Sequence, residues 1–371
     1  MSIRKEAYLS AKDPKKYEGI SNRYYLEGKD GLSCTILNYG ALIESLIVPD
    51  KDGNRADIML GCKGLDEYMN NGANHGSVVG RSANRISGAR YSIDGVEYTA
   101  PVNDGPNNLH SGVPAFQNVF WEGKELSVAE ADSIIAESGI PGIAGAYSDA
   151  LLLSYNSPDG ACGFPGNLKA QVLYAWLTDN TLLILYSGIS DKATIFAPTN
   201  HSYFNLSGHN AGSIKDHLLM VLSDKVTHKD EFNCPDGGFI DVAGTDFDFR
   251  EFDRVEKAII SADPQIADCK GLDSNYCVDS REGEFTVVAR LKDPAGSRTM
   301  ETLTDMPGIQ LYCGNHLGGT EDQKGDIPYS PYSGICLEAQ MYPNAVNIKE
   351  FTTPVIPAGK KVYHACGYRF V

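Results

Sequence analysis

Glu338 lies in the middle of "GICLEAQMY", an otherwise apolar run that reads as a strand. A carboxyl group placed there is partly desolvated. Without a charge partner, desolvation raises its pKa and leaves a competent proton acceptor near neutral pH. His201, in "PTNHSYFNLSG", is the complementary candidate. Thr199, Asn200, Ser202, Tyr203, Phe204 and Asn205 surround it, more polar and aromatic groups than a core strand needs. The bland readings are a paired structural carboxylate and a histidine satisfied inside the core.

Four further stretches share this character. "GRSANRISG" carries Asn84 beside Arg85, "PNNLHSG" carries His110, "GLDSNY" carries Asp273 and "PGIQLYCGN" carries Gln310. Taken singly, Arg85 could be a surface ion pair, His110 a loop residue, Asp273 a turn former and Gln310 an outward strand residue. Taken together they suit a small neutral polyol, because these groups donate to and accept from hydroxyls. Tyr203 and Phe204 would cover an apolar C–H face. His110, His201 and Asp273 are types that ligate zinc or iron, but no H-x-H or H-E-x-x-H spacing supports a metal. The chain has neither a Walker-type loop nor a G-x-G-x-x-G turn, which argues against a nucleotide.

The elements that must position these residues are short β-like runs broken by turns. "RYSIDGVEYTA" (residues 90–100) alternates on either side of Asp94-Gly95, a dipeptide suited to a tight hairpin with positive φ at both central positions. Residues 283–314 repeat this logic around Asp293-Pro294-Ala295-Gly296, and residues 34–61 hold three more strand candidates. "TLLILYSGISDKATIFA" reads as two strands, which puts His201 at a strand end or just beyond it. Helical periodicity is scarce; its best case is "SVAEADSIIAES" (residues 127–138). The pattern predicts one domain over residues 1–371, an all-β, mostly antiparallel large sandwich with its site on a concave face.

A formal net charge of −16 and the lack of a basic block argue against nucleic acid and anionic membranes as partners. No run approaches the roughly 18 apolar residues needed to span a bilayer. Nine scattered cysteines without a C-x-x-C pair point to reduced thiols in the cytoplasm. A monomer and a homodimer are equally open.

In order along the chain, "NYGA", "GRSANRISG", "YSIDGVEY", "NNLHSG", "SPDG" with "GFPGNL", "PTNHSYFNLSG", "GLDSNY", "GIQLYCGN" and "CLEAQMYPNAVN" resemble the aldose 1-epimerase (galactose mutarotase) family. The resemblance covers nearly the whole length. It implies a single-domain β-supersandwich that interconverts the α and β anomers of free aldohexoses, such as glucose and galactose, without a cofactor or metal. Within it, His201 matches the general acid and Glu338 the general base. Asn84, Arg85, His110, Asp273 and Gln310 match sugar-contacting positions, with Tyr203 as a wall. The chain departs from the pattern at "LDSNY", where the family often has "FDHNF", at Cys162, where acidic residues are common, and in a longer segment over residues 122–150.

Two expectations about protonation follow. Burial should raise Glu338, and a nearby carboxylate, Glu338 itself, should raise His201 above its ordinary value near 6.5. The alternatives to an epimerase of free sugars are a non-catalytic carbohydrate-binding sandwich and a hexose-phosphate 1-epimerase, for which only Arg81 and Arg85 are at hand. A glycoside hydrolase would use Asp273 and Glu338 as its carboxylate pair.

Overall fold

The computed structural model describes residues 3–70, 72–278, 283–318 and 323–371. Three sheets dominate. The largest has nine strands, in the order Glu122–Leu126, Ala150–Ser157, Leu168–Trp176, Thr181–Ser190, Val362–Phe370, Thr299–Thr304, Thr286–Lys292, Leu218–Val221 and Asp253–Arg254. Neighbours in it pair antiparallel. A six-stranded sheet orders Tyr203–Phe204, Ile335–Gln340, Gly308–Tyr312, Asp273–Cys277, Lys225–Lys229 and Pro235–Asp241. A five-stranded sheet runs through Arg4–Ala7, Asn22–Glu27, Ser33–Leu37, Leu42–Pro49 and Arg55–Asp57 in chain order. This is the all-β antiparallel sandwich that the turn-punctuated sequence predicts.

Period-two alternation distributes the core. In Thr181–Ser190, Leu182, Ile184 and Tyr186 face the main core, whereas Leu183 and Leu185 face a second cluster on the other side of the sheet. A strand apolar on both faces needs cover on both. The Val128–Ser138 helix supplies it, burying Ala131 and packing Val128, Ile134 and Ile135 against the second cluster. Ser127 caps the helix and makes a reciprocal pair with Glu130, and Gly139 ends it in a left-handed conformation. Asp132 Oδ1 then accepts the Ala146 N–H at 2.8 Å and ties the following loop back to the helix. The long 122–150 segment thus supplies the edge strand of the nine-stranded sheet and, beyond residue 126, its outer cover.

The local expectations hold where turn chemistry is strong. Arg90–Ile93 and Val96–Thr99 form the hairpin, with φ of 52° at Asp94 and 81° at Gly95. The Asp293 turn joins Thr286–Lys292 to Thr299–Thr304, and Asp293 Oδ1 accepts the backbone N–H groups of Ser297 and Arg298. Among the described residues no helix is long and apolar enough to cross a membrane. None of the nine cysteines forms a disulfide.

Candidate active site

The six-stranded sheet builds the site by register. Tyr203 pairs with Cys336, and extending that antiparallel ladder by two residues sets His201 opposite Glu338. His201 occupies the short link between Thr199–Asn200 and Tyr203–Phe204, as expected of a residue at a strand end. Along Ile335–Gln340, the alternation that sends Leu337 and Ala339 into the core turns Cys336, Glu338 and Gln340 to the opposite face. The next strand adds Gln310 beside Glu338 and Tyr312 beside Cys336, and the one after adds Asp273 beside Tyr312.

Loops complete the wall. Asn84 and His110 both adopt left-handed backbone, with φ of 54° and 53°, and are locked to each other. The Asn84 N–H donates to His110 Nδ1 at 3.2 Å, and the His110 N–H donates to the Asn84 carbonyl at 3.0 Å. Since Nδ1 accepts, a neutral His110 carries its proton on Nε2. Two left-handed non-glycine residues of this kind cost conformational energy and fix the direction of the side chains they carry.

All eight sequence-predicted residues, Asn84, Arg85, His110, His201, Tyr203, Asp273, Gln310 and Glu338, line one cavity of about 490 Å³. Asp104, Asn233, Tyr312 and His316 also line it; these four were not singled out from the sequence. Two had a usable signal. Tyr312 follows Gln310 by two residues in one strand and so shares its face, and Asp104 lies two residues before the stretch that carries His110.

At one end of the cavity the charges are paired. Arg85 Nε donates to Asp104 Oδ2 at 2.7 Å, and its NH1 lies 3.9 Å from Asp273 Oδ2. Gln310 Nε2 donates to Asp273 Oδ1 at 2.6 Å, and Lys229 Nζ donates to the Asp273 carbonyl at 2.8 Å. Burial acts to raise the Asp273 carboxyl, but the Arg85 and Lys229 cations and the Gln310 amide outweigh it and hold the group below its ordinary value.

The other end is unpaired. Glu338 Oε1 stands 3.7 Å from His201 Nε2, both side chains are buried, and Glu338 Oε2 has no hydrogen-bond partner among the described residues. Burial, with the Asp273 charge added, pushes the Glu338 carboxyl well above its usual range, as the sequence predicts. The histidine goes the other way. Burial lowers His201 to about 4, and support from its own carbonyl and from Asp273 does not offset this. The expectation that Glu338 would raise His201 is therefore overturned: a carboxyl held neutral by desolvation supplies no negative charge to do so. His110 is lowered too, by burial and then by the neighbouring His201 and Arg85 charges, and is neutral.

His201, Cys336 and Glu338 offer ligand atoms within 4.8 Å of one another. Their closest approaches use opposite nitrogens of one ring, Nδ1 toward Cys336 Sγ at 3.6 Å and Nε2 toward Glu338. A single cation takes only one of those nitrogens, so the donor set fits a metal poorly. Arg81, the second arginine of "GRSANRISG", does not line the cavity. It is buried, and its guanidinium donates to Ser157 Oγ, Thr194 Oγ1 and the carbonyls of Ser157, Pro158, Pro165 and Gly166. It pins the "SPDG" and "GFPG" loops and is not available to a ligand.

Comparison with known proteins gives the family and the fold. The aldose 1-epimerase family model matches residues 22–369. Galactose mutarotase of Bos taurus is 34% identical over 353 residues, covering 95% of this chain and 94% of its own. Aldose 1-epimerase of Escherichia coli (strain K12) is 31% identical over 348 residues, covering 93% and 94%. Among solved structures, galactose 1-epimerase from Lactobacillus acidophilus NCFM superposes with a TM-score of 0.80 at 28% identity, over 100% of this chain and 99% of that one.

Proposed function

We propose that this chain, which belongs to the aldose 1-epimerase family, interconverts the α and β anomers of free aldohexoses, with Glu338 and His201 as its acid–base pair. The observation that carries the residue assignment is the facing, buried couple at 3.7 Å in a cavity otherwise lined by groups that read hydroxyls. Glu338 takes the proton from the anomeric O1–H. The O1 electrons form the carbonyl as the C1–O5 bond breaks, and His201 Nε2 delivers a proton to O5. Rotation about C1–C2 presents the other carbonyl face, and the same transfers in reverse close the ring. Each positioned acid or base contributes roughly 10²–10⁴-fold.

The pair shares one proton, which rests on Glu338 in the free site. Moving it to Nε2 creates the carboxylate and imidazolium the reaction starts from, and the ionised Asp273 favours that imidazolium. Neutral His110 and cationic Arg85 would meet the charge growing on oxygen, while Asp273, Gln310 and Asn84 would read hydroxyls and Tyr203 would wall the ring. Phosphorylated sugars are disfavoured, because Arg85 is already shared between Asp104 and Asp273 and Arg81 faces elsewhere. We read the chain as one domain, supported by a core cluster that runs from Ile3 to Phe370. Its nine cysteines, none in a disulfide, support a reducing compartment, the cytoplasm.

Polarimetry tests the reading. Fresh α-glucose or α-galactose should reach rotational equilibrium faster with protein than without, and glucose 6-phosphate should respond far less. Equal rates with and without protein would leave a carbohydrate-binding module as the better description.

A further inference from the structure

Cys336 has no place in the chemistry above. It does not line the cavity, it is fully buried, and its Sγ lies 3.6 Å from His201 Nδ1, the ring nitrogen that faces away from Glu338. We propose that Cys336 is a positioning residue: its sulfur accepts the Nδ1–H of His201 and so keeps Nε2 as the nitrogen that loses and regains the proton. This rests on the assignment of His201 as the acid.

The direction of the hydrogen bond follows from the proton cycle. When Nε2 gives its proton to the ring oxygen, the neutral imidazole left behind must hold its remaining proton on Nδ1, or Nε2 has no lone pair with which to reverse the step. A proton on Nδ1 needs an acceptor inside a buried site. Two stand there. One is the carbonyl of His201 itself, which already receives the Gly76 N–H at 2.9 Å and acts to favour the protonated ring. The other is Cys336 Sγ. A carbonyl can only accept, so it biases the ring toward Nδ1–H, but it already serves the Gly76 N–H, and the sulfur lone pairs complete the acceptor for the same proton. The hydrogen bond made by one nitrogen decides which nitrogen titrates. Burial keeps the thiol neutral, so the arrangement introduces no competing anion. Tyr203, paired with Cys336 across the ladder, fixes the strand that carries the sulfur.

Histidine ¹⁵N spectroscopy reads the tautomer directly, with the His201 signals assigned by their loss in His201→Asn. Wild-type protein near neutral pH should show a protonated Nδ1 and an unprotonated, pyridine-type Nε2. Cys336→Ala should move His201 toward a mixture of tautomers and lower kcat about threefold to tenfold, the scale of one neutral hydrogen bond, with KM unchanged because the thiol does not touch sugar. Cys336→Ser keeps an acceptor and should restore both the tautomer and kcat. A wild-type His201 with its proton on Nε2, or a Cys336→Ala protein with unaltered tautomer and kcat, overturns the proposal, and the first measurement needs no Cys336 variant. Failure of the acid assignment would be seen separately, as a His201→Asn enzyme that keeps its kcat.

Discussion

Asp273 and Glu338 sit in one cavity, on strands of one sheet separated by a single strand, and their carboxyls are driven in opposite directions. Asp273 is partly buried, its side chain 22% exposed against 3% for Glu338, and it is answered by two cations and an amide, so it stays ionised. Glu338 is answered by a neutral ring, so it holds its proton. Burial alone therefore assigns no role; what a buried carboxyl faces decides whether it binds or reacts. The paired end suits a ligand whose hydroxyls need fixed donors and acceptors. The unpaired end suits transfer of a proton that neither partner holds strongly.

That contrast can be broken most severely at the reactive end. Glu338→Gln keeps shape and removes basicity, so kcat should fall by roughly 10²–10⁴-fold, with galactose binding by calorimetry retained. His201→Asn should cost a similar amount. A Glu338→Gln enzyme with most of its kcat would place the base elsewhere.

The pH profile sharpens the same point. Activity needs one proton on the pair. Below about 4 His201 is protonated along with Glu338 and no base remains. Above the raised Glu338 value neither group holds a proton and no acid remains. The profile of kcat/KM should be a bell whose acidic limb lies near 4 and belongs chiefly to the histidine. Its alkaline limb should lie well above the ordinary carboxylate range and belong chiefly to Glu338, with the usual mixing of coupled sites. A curve with its acidic limb near 6.5 would mean that His201 is not desolvated in solution.

At the paired end the effect should be smaller and of another kind. Asp273→Ala removes charged hydrogen bonds made in ground and transition states alike, so KM should rise about ten- to a hundredfold while kcat falls much less. Equal damage to kcat in Asp273→Ala and Glu338→Gln would erase the division between the two ends. Arg81, a buried charge satisfied wholly by protein, marks the limit of the comparison. Arg81→Met leaves loop carbonyls unpaired and should cost about 2 kcal/mol in denaturant unfolding, with KM for galactose nearly unchanged.

Much of the site was legible because its residues lie in polar, turn-rich stretches where a core would not put them, as with His110 and Asp273, or interrupt an apolar strand, as Glu338 does. The hairpin at Asp94-Gly95 and the helix at 127–138 were legible for a similar reason: their signals lie within a dozen residues. What could not be read was set by distant partners. Arg81 and Arg85 are four residues apart in one motif, and only the fold turns the first into a loop anchor and the second into the site. The protonation of His201 was misjudged because proximity to a carboxyl can be expected from sequence, whereas the desolvation that neutralises that carboxyl depends on six strands meeting. The strand order of the nine-stranded sheet was equally hidden, since it pairs residues more than 170 positions apart.

The place of Val362–Phe370 has a consequence for how the protein is made. That strand lies between Thr181–Ser190 and Thr299–Thr304, in the interior of the nine-stranded sheet. During synthesis the four strands ending at Thr181–Ser190 and the four beginning at Thr299–Thr304 exist as two separate ribbons. Each exposes an unpaired strand edge until residues 362–370 have left the ribosome, a long apolar one in Thr181–Ser190 and a short, threonine-rich one in Thr299–Thr304. The nascent chain must therefore wait, with two sticky edges shielded by something other than each other, and the sheet closes only when its late-made strand slides between them.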